Sequence, residues 1–227
     1  MIDALFSIPV GRYSMNREIT EKELNYIKKL PQRKNQSNKV SLNFYVLNDC
    51  KELKNIKNFL EGCLDNYLSL TFAPNKELIQ TYITQSWLNY TDVGEYHHLH
   101  KHQNSIVSGV FYPQVVEGRD SITFRNFDST AGTSSPLRIE PVEFNKFNSS
   151  SWEYPVSNGE LFLFPSPMQH SVSEVKSGFN QYDQKGNDIG SLQRISLSFN
   201  TWCNGVAGAE KELNHLVLSK EERYDTN

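Results

Sequence analysis

From Leu78 onward the chain changes character: short runs rich in β-branched and aromatic residues alternate with turns of Gly, Pro, Asn and Ser. The runs are Ile79–Trp87, Ile106–Tyr112, Ile122–Phe127, Leu161–Phe164, Ser171–Val175 and Ile195–Phe199. Strands this short, separated by turns, predict an antiparallel sandwich, jelly roll or barrel. Upstream the pattern is mixed. Thr20 and Glu23 form a capping box, and Leu24, Ile27 and Leu30 give one apolar stripe on a helix that should stop near Pro31. Val40, Leu42, Phe44 and Val46 alternate with polar residues and predict a half-buried strand. Asp49 and Glu52 are candidate caps for a second helix, along which Leu53, Ile56, Leu60, Cys63, Leu64 and Tyr67 recur. Helices first and strands after predict a mainly β, α+β fold with helices packed outside a β core.

One domain accounts for all 227 residues. Residues 1–77 would be helical and strand support, 78–202 the β core, and 203–227 a C-terminal helix and tail that frays from Ser219. Residues 176–192 read as a polar, hairpin-like insertion, long enough to be functional. Its aspartates lack the spacing of a calcium loop.

Composition removes several classes. Lys and Arg number 23 against 26 Asp and Glu, a formal charge of −3, which weighs against a general nucleic-acid partner. The three cysteines, Cys50, Cys63 and Cys203, form no CxxC and no even set, so neither a disulfide framework nor a cysteine zinc site is expected. The opening residues lack a basic start followed by an apolar run, and no apolar stretch is long enough to span a membrane. The expectation is a cytoplasmic protein with no membrane partner. A homodimer stays open, since such dimers are common.

Histidine is the informative residue. Of six, four fall within six positions: His97, His98, His100 and His102. On an extended segment alternate residues share a face about 7 Å apart, so two imidazoles can converge on one metal ion. A solvated, His-rich loop accounts for the cluster equally well. His170, at the end of an apolar strand and turn, is a candidate third ligand from a distant strand. Nitrogen-rich ligation suits Fe, Zn, Cu or Ni without choosing among them. In the run Arg194 to Asn200, Ile195, Leu197 and Phe199 face one way, and Arg194, Ser196 and Ser198 the other. A buried Arg194 needs a carboxylate: a structural Asp or Glu, or one carried by a ligand.

These residues, taken in order, resemble a known family. Ser86-Trp-Leu-Asn89, then His100-Lys-His102-Gln-Asn-Ser105-Ile-Val-Ser-Gly-Val-Phe-Tyr112, Gly159-Glu-Leu-Phe-Leu-Phe-Pro-Ser166, His170, and Arg194-Ile-Ser-Leu-Ser-Phe-Asn200 are similar to the iron- and 2-oxoglutarate-dependent oxygenases of phages and bacteria. The start Leu5-Phe-Ser-Ile-Pro9 fits as well. The resemblance implies a double-stranded β-helix, a cupin-like jelly roll, with His100, His102 and His170 on Fe(II). It implies Arg194 with Ser196, and Tyr112, on the distal carboxylate of 2-oxoglutarate, and Asn104 and Ser105 near the metal. The implied activity is a dioxygenase, a hydroxylase that couples 2-oxoglutarate decarboxylation to C–H oxidation of an unknown substrate, with O₂ as co-reactant. If the chain is phage-encoded, the cytoplasm is the host's.

Two departures stand out. His102 occupies the position of the expected carboxylate, which leaves His98-x-His100 with Glu95 as an alternative register. The interval from His170 to Arg194 is long, which the insertion explains if it loops out, as a candidate lid, and the flanking strands still pair. The competing functions are a non-catalytic metal-binding cupin-like protein, a structural phage protein, and a three-histidine zinc hydrolase.

Overall fold

The computed structural model describes residues 7–125, 140–182 and 188–219. In chain order the elements are β1 (Gly11–Ser14), α1 (Glu21–Lys29), β2 (Gln32–Lys34), β3 (Lys39–Ser41), α2 (Val46–Asp49) and α3 (Lys54–Thr71). Then follow β4 (Ile79–Thr91), β5 (His97–His100), β6 (Val107–Gln114), β7 (Ser121–Arg125), β8 (Ser151–Pro155), β9 (Glu160–Pro165) and β10 (Gln169–Val172). The chain continues with β11 (Asn180–Tyr182), β12 (Asp188–Ser191), β13 (Arg194–Ala207) and β14 (Leu216–Leu218).

The larger sheet runs β1-β9-β6-β13-β4-β3-β2, with β14 on the far end of β13. The smaller runs β5-β10-β7-β8. Every strand pair named in the two sheets is antiparallel. The fold is the double-stranded β-helix, or jelly roll, with helices outside it.

Period-2 alternation divides the residues of the larger sheet between two cores. Leu88 and Tyr90 of β4, Phe111 of β6, and Ile195, Leu197 and Phe199 of β13 join Ile27 of α1 and Ile56, Leu60 and Leu64 of α3 in one buried cluster. Val110 and Tyr112 of β6 and Phe162 and Phe164 of β9 meet Ile122 and Phe124 of β7 in the second cluster, between the sheets. Strand β6 is therefore buried at every position. Gly109 is required there, because the ring of Phe199 fills the space a Cβ would take. The Tyr90 hydroxyl donates to the carbonyl of Ile27 at 2.7 Å and ties α1 to the sheet.

Helix α1 starts on the predicted capping box, with Thr20 and Glu23 exchanging both bonds, and the predicted apolar positions of α3 are its buried face. Several expectations need correction. The strand predicted through Val46 stops at Ser41: Asn43 accepts the Tyr45 N–H at 2.7 Å and its carbonyl takes the Ser41 hydroxyl, a local turn that competes with the ladder. Neither Asp49 nor Glu52 caps α3. The helix continues from a 3₁₀ turn, Lys51–Leu53, whose bonds supply what a cap would. In place of the expected C-terminal helix, the described residues after 203 hold only a single 3₁₀ turn, Glu210–Glu212. β13 runs on to Ala207, and positive-φ Gly205, the first residue paired with β14, and Gly208, just beyond the pairing, accompany the fold-back of β14 onto it. Strands β1 and β8 escape sequence reading.

The insertion is a hairpin, β11 with β12, as read from its composition. Residues 183–187, and the tail from 220, lie outside the described residues. The strands on either side of the insertion, β10 and β13, do not pair. They belong to opposite sheets, and the hairpin crosses between them. No described helix is long and apolar enough to cross a membrane.

Candidate metal centre and anion pocket

The pairing of β5 with β10 builds the first half of the site. His100 and His170 are register partners, and their rings lie 4.2 Å apart, centroid to centroid. His102 follows β5, where its N–H is taken by the Ser166 carbonyl at 3.0 Å. Its ring is 5.1 Å from His100 and 5.2 Å from His170 and stacks on Trp87 at 5.8 Å. One ligand nitrogen from each of the three lies within 4.8 Å of the others. This favours the His100/His102 register. Glu95, the alternative carboxylate, instead accepts the Asp92 N–H at 2.9 Å within its own turn.

Each ring is oriented through Nδ1. His100 donates to the His98 carbonyl at 2.8 Å and His170 to the Met168 carbonyl at 3.2 Å. His102 uses a side chain, the Asn200 Oδ1, at 2.6 Å. A carbonyl only accepts, so each Nδ1 carries the proton and each Nε2 keeps its lone pair. Burial, with mutual repulsion among the rings, lowers all three pKa values, His102 to about 4. The imidazoles are held neutral, the form that binds metal. The Nε2 of His102 is buried without a partner. The donor set fits a metal ion.

Asn200 was quoted within a motif but given no role by sequence reading. It falls on the inward alternation of Arg194, Ser196 and Ser198, the signal that could have found it. Its Oδ1 also accepts from Ser108 Oγ at 3.0 Å, which fixes the amide. Asn200→Ala should weaken metal binding roughly 10- to 100-fold, as loss of an outer partner does. Titration of the purified protein with Mn(II) checks this.

Across the cavity stands Arg194, 2% exposed. The cavity walls include His100, His170, Arg194, Ser196, Asn89 and His97. The predicted question, structural acid or ligand acid, has a mixed outcome. Arg194 Nη1 contacts Asp120 at 3.4 Å. Asp120, however, already holds Arg119 by both oxygens, at 3.0 and 2.7 Å. Two guanidinium groups share one carboxylate, so a positive charge is left over, and Arg194 Nη2 is buried without a partner. Burial lowers the Arg194 pKa and the Asp120 charge opposes that, but a guanidinium stays charged.

Tyr112 is fully buried, with its hydroxyl unpartnered and close enough to feel Arg194 and Asp120. Burial raises its pKa and keeps it a donor. Ser196 and Ser198 accept from Asn89 Nδ2 at 3.5 and 3.1 Å, leaving Asn89 Oδ1 free. Asn104 is not brought to the cavity. It is exposed in a left-handed turn, φ 53°, that reverses the chain between His102 and β6, a conformation Asn tolerates. Ser105 bonds Ser166 at 2.8 Å, and Ser166 in turn meets Ser108 at 2.8 Å. This chain of hydroxyls ends on Asn200, behind His102.

Residues 85–182, the stretch that carries the three histidines, match the family model described as "Putative 2OG-Fe(II) oxygenase". This stretch is therefore similar to Fe(II)- and 2-oxoglutarate-dependent oxygenases, and the three histidines it carries could hold a metal ion. No curated protein matches the sequence. Solved structures share the fold at low identity. HygX from Streptomyces hygroscopicus, with nickel, 2-oxoglutarate and hygromycin B bound, is 9% identical over 86% of this chain and 82% of its own, TM-score 0.52. The carbocyclase SnoK from nogalamycin biosynthesis is 11% identical over 94% of this chain and 90% of its own, TM-score 0.52.

Proposed function

We propose that His100, His102 and His170 hold the Fe(II), and that Arg194, Tyr112 and Ser196 receive the distal carboxylate of 2-oxoglutarate. One observation carries this reading. Among the described residues, the buried side-chain polar atoms without partners are four: Asn89 Oδ1, His102 Nε2, Tyr112 Oη and Arg194 Nη2. Buried polar groups are nearly always satisfied, so such a concentration marks where a ligand belongs. A lone pair at His102, a phenol and a positively charged fork are what a metal ion and a carboxylate need.

The chemistry that Fe(II) supplies when bound is chelation of the keto acid and activation of O₂, so that decarboxylation to succinate and CO₂ is coupled to oxidation of a substrate C–H bond. The protein's share is binding and order. The three rings are held by their Nδ1 bonds, so the lone pairs need no reorganisation. Arg194 and Tyr112 fix the cosubstrate by its far end, and Trp87 shields His102 from water. Three buried free cysteines support a reducing, cytoplasmic setting.

The test is succinate formation from 2-oxoglutarate, followed by NMR with Fe(II) and O₂ present. Slow turnover that requires Fe(II) and stops with a chelator is expected. An activity indifferent to 2-oxoglutarate, with zinc as the purified metal, would favour a hydrolase.

A further inference from the structure

Beside the three histidines given roles stand His97 and His98, both with rings next to His100, and of these two His97 lines the cavity. His97 opens β5, lines the same cavity as His100 and His170, and lies 4.5 Å from the His100 ring. Its hydrogen bonding is the reverse of theirs. His97 Nδ1 accepts from Asn38 Nδ2 at 3.2 Å. The Asn38 oxygen is occupied by Asn35 Nδ2 at 3.1 Å, so the amide presents its NH₂ to the ring. Asn38 is buried, at the turn between β2 and β3, and the same turn takes the Tyr96 N–H on the Ser37 carbonyl at 3.2 Å. A neutral imidazole that accepts at Nδ1 carries its proton on Nε2. His97 therefore has no lone pair to give a metal at Nε2, and it stands outside the cluster of ligand nitrogens. It is a donor on the cavity wall.

We propose that His97 is a positioning residue whose Nε2–H donates to an oxygen at the keto-acid end of bound 2-oxoglutarate. This rests on the cosubstrate arrangement proposed above. The cosubstrate presents only acceptors, so its binding wall must consist of donors. Arg194 and Tyr112 serve one end, and His97, beside His100, serves the other. The sequence reading passed over His97 because it shares its segment with the ligands; the tautomer, set by an asparagine some sixty positions upstream, separates it from them.

The experiment is calorimetric titration of the Ni(II)-loaded full chain with two probes: 2-oxoglutarate, and 2-oxobutyrate, which has the keto-acid end and no distal carboxylate. His97→Phe keeps a ring and removes the donor. It should weaken both probes about tenfold, as loss of a hydrogen bond to a charged group does, with the nickel stoichiometry unchanged. His97→Gln restores an N–H and should recover to within about threefold. Arg194→Ala, by contrast, should weaken 2-oxoglutarate and spare 2-oxobutyrate. Wild-type binding of both probes by His97→Phe overturns the proposal, and so does loss of nickel with it, which would make His97 a ligand. Should the phenylalanine variant not fold, Asn38→Leu frees the tautomer with His97 intact. Unchanged binding there also overturns the proposal. If the wild-type chain itself binds neither probe, the cosubstrate arrangement falls and this inference with it.

Discussion

Arg194→Ala is expected to weaken 2-oxoglutarate binding by about two orders of magnitude, the effect of removing one partner from a buried charge pair. The size follows from the electrostatics of the pocket. Arg119 and Arg194 both face Asp120, and Arg119 takes that carboxylate through two bonds, while Arg194 reaches it only at 3.4 Å. The charge left over sits on a guanidinium with a free Nη2, and in the proposed arrangement the distal carboxylate of 2-oxoglutarate supplies what is missing. Arg194→Lys keeps the charge without the planar fork and should lose less. The apparent KM for 2-oxoglutarate in the succinate assay, read beside the thermal midpoint, separates two roles. A cosubstrate role raises KM with little change in Tm. If Arg194 only supported Asp120, stability would fall and KM would stay.

His170→Ala should abolish Fe(II)-dependent turnover and weaken metal binding by at least about a hundredfold, beyond what an outer partner costs. In the proposed ligand set, His170 joins the two ribbons of the site. It pairs with His100 across β5 and β10, is 2% exposed, and packs on the Phe164 ring at 4.6 Å. Among the described residues, His170 is what β10 contributes to the cluster. Metal content by elemental analysis after dialysis measures the loss. Retention of stoichiometric iron would remove His170 from the ligand set.

Much of this was legible in the residues because the signals are local. The inward face of β13 follows from alternation alone, and so does the separation of Arg194, Ser196 and Ser198 from Ile195, Leu197 and Phe199. The capping box at Thr20 and the stripe of α3 are equally short-range. What was not legible depends on distant pairing. Asn200 orients His102 across 98 positions, and Asp120 collects two arginines, one of them 74 positions away. Neither partnership leaves a periodic trace. The same applies to β10 and β13, which meet across the cavity rather than edge to edge. The turn at Asn43 shows the opposite failure: a hydrophobic alternation persists in the sequence while side-chain bonds to the backbone end the strand.

The reading of a carboxylate position filled by His102 also gains a physical account. In the proposed site, three neutral donors would leave the metal more positive than two histidines and an acid would. The 2.6 Å bond from His102 Nδ1–H to Asn200 pushes electron density back toward Nε2 and offsets part of that difference.

The most direct measurement is a visible spectrum taken without oxygen, first with Fe(II) alone, then with 2-oxoglutarate. A weak charge-transfer band that needs both additions, is absent in His170→Ala and calls for far more 2-oxoglutarate in Arg194→Ala, is the predicted result. A wild-type protein that gives no band with both present, or a band that survives the loss of His170, would contradict the account.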